Sequence, residues 1–289
     1  IIYILLISIF LTAIPATADD FALVKVAFTS LRSEPRHSSE MLTQAIMGMP
    51  MQVLADTTPD WVTVRLADGY EGFINRSAII RKTAAEMQEW KSSHRVTIAS
   101  LTPQEVIGQD SKVLCRLEAG SIVTLSGDSI LLPDGRKGLV DNLSEINSRL
   151  PSEDEVLGVA HKLMGAPYLW GGNTVHALDC SGLVRVCFMQ FGILTPRDAS
   201  QLYICGRKRE SAENPERGDL LFFSSKPDGG ITHVALYLGD GRYIHCSGEV
   251  KISTMSSEDP DFSKRYFRGA IDWSNLKGFM PISSHRLYY

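Results

Sequence analysis

The sequence predicts an α+β chain: two small β-rich modules joined by a short helix, then a mixed helix-and-strand unit filling the second half. Three observations carry this. The pattern D-G-x-x-G-[FL]-[IV] occurs twice, as Asp68–Ile74 and Asp134–Val140, 66 residues apart, a spacing that suits one small barrel per copy. Strand-like runs precede each copy. After Pro151 the apolar period changes to that of an amphipathic helix.

The elements follow in order. Ile1–Ile14 is apolar apart from Ser8 and Thr12 and runs into Pro15-Ala16-Thr17-Ala18. That is the form of an export signal cleaved after Ala18, and it is too short for a confident membrane span. Neither Met nor a basic segment precedes it, so the natural chain is expected to start earlier. Residues 19–82 form the first expected barrel, with strands at Met51–Leu54, Trp61–Leu66 and Tyr70–Ile74 and turns at Thr57–Asp60 and Asp68-Gly69. Residues 83–94 have helix-forming composition and serve as a connector. Residues 95–148 form the second expected barrel, with strands at Ile122–Leu125 and Ile130–Leu132. Residues 149–289 are the third unit, opening on the amphipathic run Glu153–Met164.

Composition narrows the function. With 29 Lys+Arg against 33 Asp+Glu the formal charge is −4, which argues against a nucleic-acid binder. Five cysteines are too few for a disulfide scaffold, and their odd number leaves at least one thiol free or paired with another chain. No C-x-x-C or H-E-x-x-H occurs, so neither a metal nor a cofactor is expected.

Chemistry concentrates in the third unit. Leu183, Val184, Cys187, Phe188 and Phe191 trace one helical face, and Gly192 suits the helix end. Asp179 is typed for the N-cap, which puts Cys180 in the first turn. There the helix dipole favours a thiolate, the nucleophilic form, while Asp179 opposes it; a reactive Cys180 therefore needs a partner such as histidine. Cys187, on the apolar face, is expected in the core. Ile231–Leu238 and Arg242–Ser247 read as a hairpin. A three-residue loop pairs Leu238 with Arg242 and His245 with Ala235, putting His233 on the face of His245. A two-residue loop sends the two imidazoles to opposite faces.

Trp61–Phe73 and Asp134–Leu139 resemble bacterial SH3-type domains, which accompany cell-wall enzymes. Five stretches together resemble the NlpC/P60 family of papain-like cysteine peptidases over residues 151–289: Tyr168–Gly172, Leu178–Gly182, Gly218–Leu220, Thr232–Tyr237 and Tyr243–His245. The resemblance implies a papain-like catalytic domain behind two SH3-like barrels. It implies Cys180 as nucleophile, His233 as general base and then acid, and His245 as the residue that orients His233.

Substrate class comes from the same comparison. The family is similar to enzymes that cut the γ-D-glutamyl–diamino acid bond of peptidoglycan stem peptides, the diamino acid being diaminopimelate or lysine. Two SH3-type domains ahead of the catalytic domain resemble the members acting on short peptides with a free N-terminal L-alanine. That likeness implies Glu40, Tyr168 and Asp179 around the free amine, with Tyr70 closing the cleft, Ser181 bonding the substrate, and Trp170 and Asp198 lining the site. Ala199 departs from it, standing where a hydroxyl residue is common. Two other readings stay open: an endopeptidase or amidase acting on intact peptidoglycan, and an inert wall-binding protein.

Overall fold

The computed structural model describes residues 20–289 apart from 142, 147, 210–213 and 274–277; the expected export signal lies outside the described residues. The first module holds β1 (Phe21–Val24), β2 (Phe28–Arg32), β3 (Met41–Ile46), β4 (Pro50–Asp56), β5 (Trp61–Leu66), β6 (Glu71–Asn75) and β7 (Ile79–Lys82). They pair antiparallel in the order β3-β2-β6-β5-β4-β1-β7. Helix α1 (Ala84–Ser92) follows, started by a capping box in which Thr83 and Glu86 satisfy each other's backbone N–H.

The second module holds β8 (Arg95–Thr97), β9 (Gln104–Ile107), β10 (Val113–Leu117), β11 (Ile122–Ser126), β12 (Ser129–Leu131) and β13 (Lys137–Gly138). They form a four-stranded sheet, β13-β12-β11-β8, and the separate pair β10-β9. A bridge between Ile107 and Leu139 joins β9 to the chain just after β13, so the pair and the sheet belong to one β-rich module. The repeated motif builds one turn twice. In the first copy Gly69 N–H donates to Leu66 O and Leu66 N–H to Tyr70 O; in the second Gly135 N–H donates to Leu132 O and Leu132 N–H to Arg136 O. Asp68 and Asp134 each accept from the backbone N–H two residues on, the Asx turn that their short carboxylates favour.

The third unit contains α2 (Glu153–Lys162), the small hairpin β14 (Asn173–Thr174) and β15 (Ala177–Leu178), α3 (Cys180–Met189), β16 (Ile193–Leu194) and α4 (Ala199–Cys205). Then come β17 (Arg207–Lys208), β18 (Leu220–Ser224), β19 (His233–Gly239), β20 (Arg242–Ser247), β21 (Glu249–Thr254), β22 (Tyr266–Asp272) and β23 (Met280–Pro281). Six of these strands make one sheet, β17-β22-β18-β19-β20-β21. Helix α3 is buried along its whole length, and Leu183, Val184, Cys187 and Phe188 join Phe222, Val234, Leu236 and Ile244 in one core.

The modules share apolar interior. Met47 of the first module sits in the core of the second with Val96, Val123 and Ile130. Ile122, Met189, Leu194, Ile282, Leu287 and Tyr288 form a further cluster with Phe21 and Trp90, drawing on all three. No helix among the described residues is long and apolar enough to cross a membrane.

The hairpin corrects one expectation and keeps its consequence. Gly239, not Leu238, pairs with Arg242, so the turn is the two residues Asp240-Gly241. A bulge between Tyr237 and Gly239 absorbs the change, so Leu236↔Ile244 and Tyr237↔Tyr243 stay in the expected register. A bulge adds one residue to one strand and so restores the face that a tight loop would have reversed. His233 and His245 therefore share a face despite the two-residue turn.

Candidate active site

Close packing at one helix start places Cys180. Asp179 caps α3: its Oδ1 accepts Gly182 N–H at 2.6 Å and Ser181 Oγ–H at 3.1 Å, and its Oδ2 accepts Gly171 N–H at 3.0 Å. Gly182 crosses the Gly172 carbonyl so closely that a Cβ would stand 2.0 Å from that oxygen. Gly171, at φ +77°, leaves only 2.6 Å between a built Cβ and Met41 O of the first module. These contacts leave no room for a side chain at Gly171 or Gly182 beside Cys180.

Cys180 is buried at the first position of α3. Burial, with the Asp179 carboxylate adding to it, pushes the thiol up to about 11; the backbone N–H groups of Val234 and Ser181 and the Arg197 charge act in the opposite sense. Val234 follows His233, so β19 brings the imidazole's own strand against the thiol. His233 Nε2 lies 2.8 Å from His245 Nδ1, and His245 Nε2 lies 3.1 Å from Ser253 Oγ. The two rings stand nearly perpendicular, at 84°. Burial holds His233 well below the ordinary histidine range, with the Arg265 charge assisting. Burial and the same charge bring His245 to about 3. Both imidazoles are therefore neutral at pH 7.

A cleft of about 420 Å³ lies over the thiol, lined by Glu40, Tyr70, Tyr168, Trp170, Asp179, Cys180, Ser181 and Asp198 among others. All seven residues expected to bind substrate line it. Trp170 is 61% exposed, and its indole N–H donates to Glu40 Oε1 at 2.8 Å, so it is cleft wall and not core. Tyr70 O–H donates to Asp198 Oδ2 at 2.9 Å; burial and that carboxylate push its phenol up to about 12. A second cleft of about 330 Å³ shares Tyr168, Trp170 and Thr232, and adds His233, Ser247 and Arg265. A third of about 400 Å³, between α1 and the two β-rich modules, holds neither Cys nor His.

One residue of this network escaped the sequence reading. Arg197 is fully buried; its Nη2 meets Asp179 Oδ2 at 2.5 Å, its Nη1 donates to Ser181 Oγ at 2.9 Å, and its Nε donates to Thr43 Oγ1 of the first module at 2.7 Å. Asp179 is thus already neutralised. Asp179 lines the cleft together with Glu40 and Asp198; Glu40 and Asp198 accept from the neutral Trp170 and Tyr70, and the Arg197 charge also acts on Asp198. Arg197 stands beside Asp198 in sequence, but only the fold turns it away from water and towards Asp179. All five cysteines are free. Cys187 lies in the core as expected, and Cys246 S–H donates to Leu178 O at 3.1 Å.

Residues 165–270 match the NlpC/P60 family, and residues 31–79 match the bacterial dipeptidyl-peptidase SH3 domain. The chain is 26% identical to dipeptidyl-peptidase 6 of Lysinibacillus sphaericus over 83% of its length and 93% of that protein's. It is likewise 26% identical to γ-D-glutamyl-L-lysine dipeptidyl-peptidase of Bacillus cereus, over 80% of its length and 74% of that protein's. The crystal structure of an NlpC/P60 family protein from Bacillus cereus superposes with a TM-score of 0.74 at 23% identity, covering 88% of this chain and 99% of that one; this likeness speaks for the fold. Motifs, fold and site geometry converge on one conclusion: the chain carries an NlpC/P60-family domain with a bacterial dipeptidyl-peptidase SH3 module docked against it.

Proposed function

We propose that the chain is a cysteine peptidase of the cell wall that hydrolyses the γ-D-glutamyl–diamino acid bond of short peptidoglycan stem peptides with a free N-terminal L-alanine. The single observation that carries this is the composite cleft. Its floor is Cys180 at a helix start, and its far wall, Glu40 and Tyr70, comes from the SH3-like module. Relatives named for γ-D-glutamyl-L-lysine dipeptidyl-peptidase activity support the bond assignment. Export of the chain and SH3 character for residues 95–148 belong to the same reading.

The chemistry follows from the resting protonation. Cys180 rests as a thiol and His233 as a neutral imidazole. His233 Nε2 is held by His245, leaving Nδ1 to take the thiol proton; Nε2 then carries its proton as donor to His245 Nδ1, and His245 Nε2–H donates to Ser253. This chain fixes both tautomers. The sulfur attacks the D-glutamyl δ-carbonyl, and the Cys180 N–H at the positive end of the α3 dipole stabilises the oxyanion. His233 passes its proton to the leaving amine. Water, deprotonated by His233, then clears the thioester and restores the thiol.

Glu40 and Asp198 supply two negative charges in a half-enclosed cleft, which suits an α-ammonium. An acylated N-terminus would leave both carboxylates partly desolvated with no cation, and selectivity arises from that penalty. The test is digestion of L-Ala-γ-D-Glu-diaminopimelate and of its N-acetylated form, followed by mass spectrometry, with Cys180→Ala as control. Release of L-Ala-γ-D-Glu from the free-amine peptide alone is expected. Equal cleavage of both would overturn the amine clamp, and cleavage of neither would overturn the bond assignment.

A further inference from the structure

The second cleft, beside His233, is chemically unlike the first. Its charged side chain is Arg265, accompanied by the hydroxyls of Ser225, Thr232 and Ser247. Arg265 Nη2 donates to Ser247 Oγ at 3.2 Å, whereas its Nε is buried without a hydrogen-bond partner. No carboxylate among the described residues forms an ion pair with it. A half-buried guanidinium without a counter-charge is costly to keep, and its planar fork is shaped for a carboxylate.

Mechanism assigns the side of the cleft. The base that hands a proton to the leaving nitrogen must face that nitrogen, so the cleft containing His233 receives the amine product. In the proposed reaction, that product is a diamino acid whose α-carbon carries both the scissile nitrogen and an α-carboxyl group. One carbon separates the two, which keeps the carboxyl next to His233.

We infer that Arg265 is the receptor for the free α-carboxylate of the departing diamino acid, so that the preferred substrate is a tripeptide ending at that residue. The inference rests on the peptidase reading above and deepens it. The substrate is then recognised by charge at both ends, its ammonium at Glu40 and Asp198 and its carboxylate at Arg265. A stem peptide extended by further residues has an amide at that position and gives Arg265 no anion. The class of reaction that supplies the substrate is therefore a carboxypeptidase-type trimming to the tripeptide.

The arrangement also bears on the base. Arg265, His245 and burial all disfavour a proton on His233, and Arg265 and Lys251 act likewise on His245. A substrate carboxylate on Arg265 offsets that charge as His233 must accept the thiol proton.

The experiment compares kcat/KM for L-Ala-γ-D-Glu-diaminopimelate and L-Ala-γ-D-Glu-L-Lys, each as the C-terminal acid and as the α-carboxamide. The enzymes are wild type, Arg265→Gln and Arg265→Lys, with thermal melts of each variant as a check on folding. Wild type is expected to favour the acid tenfold or more. R265Q should collapse that ratio towards one, and R265K should retain part of it. Equal rates on acid and amide by wild type would overturn the inference while leaving the peptidase reading intact. So would an R265Q ratio equal to that of wild type, or indifference to amidation combined with selectivity for diaminopimelate over lysine. Cleavage of none of the four peptides would overturn both readings together.

Discussion

Arg197 stands between Asp179 of the helix cap and Thr43 of the SH3-like module, so one guanidinium ties the helix that begins at Cys180 to a neighbouring module. Removing its charge leaves the Asp179 carboxylate buried and uncompensated. Arg197→Met is expected to cost on the order of 3–5 kcal/mol, measured by urea denaturation; an unchanged midpoint would show that the pair contributes little. The thiol offers a second test at this scale. At about 11 against an ordinary value near 9, its thiolate fraction at pH 7 is about a hundredfold lower than that of a free cysteine. Iodoacetamide should therefore label Cys180 about a hundredfold more slowly at pH 7, with the rate rising through pH 9 and beyond. A fast, pH-independent reaction would mean that a thiolate–imidazolium pair already exists at rest.

At the scale of elements, the β19–β20 hairpin carries both imidazoles in their neutral form, and acid stability reads this out. Their folded-state values lie below the ordinary histidine value, so the unfolded chain binds protons that the native one refuses. Their contribution is full above about pH 6.5 and is lost as pH falls below it, for His245 down to about 3. Each imidazole then costs roughly 1.4 kcal/mol per pH unit. Stability should fall steeply from pH 6.5 towards 4, and His245→Gln should flatten the slope by about one proton; parallel slopes would contradict the neutral pair. Helix α3 makes a steric counterpart. Gly182→Ala drives a Cβ to 2.0 Å from the Gly172 carbonyl, and because backbone cannot swing aside as a side chain can, a loss of about 3 kcal/mol or more is expected in thermal or denaturant melts.

Across the whole molecule, the catalytic unit is built against the β-rich modules. Buried Arg185 pairs with Asp68 at 2.6 Å, Asn173 N–H donates to Gln44 Oε1 at 2.9 Å, and the cluster around Met189 and Tyr288 draws on all three modules. Separating residues 149–289 would expose that cluster, take Asp68 from the buried Arg185 and take Thr43 from Arg197. The isolated segment is expected to aggregate or lack near-ultraviolet circular dichroism, and the full chain to melt in one calorimetric transition. Two well-separated transitions would show that the modules fold independently.

Local chemistry is what the sequence by itself determined. The Asp-Gly turns of the repeat, the Thr83 capping box, the Asp179 cap with Cys180 behind it, and the strands bearing His233 and His245 all depend on neighbours within a few residues. Residue type and spacing suffice for such features. The shared face of the two histidines was legible too, although through a bulge and a two-residue turn instead of the three-residue loop expected. Only the tertiary structure decided which carboxylate Arg197 pairs with directly. Asp179 and Asp198 look alike in sequence, yet Arg197 forms its ion pair with the first, while Tyr70 hydrogen-bonds the second. The joining of Glu40 to Trp170 across 130 residues and the unpaired Arg265 beside His233 were hidden for the same reason. Charge compensation depends on which groups meet in space after water is excluded, and those meetings span long stretches of chain that no local pattern encodes.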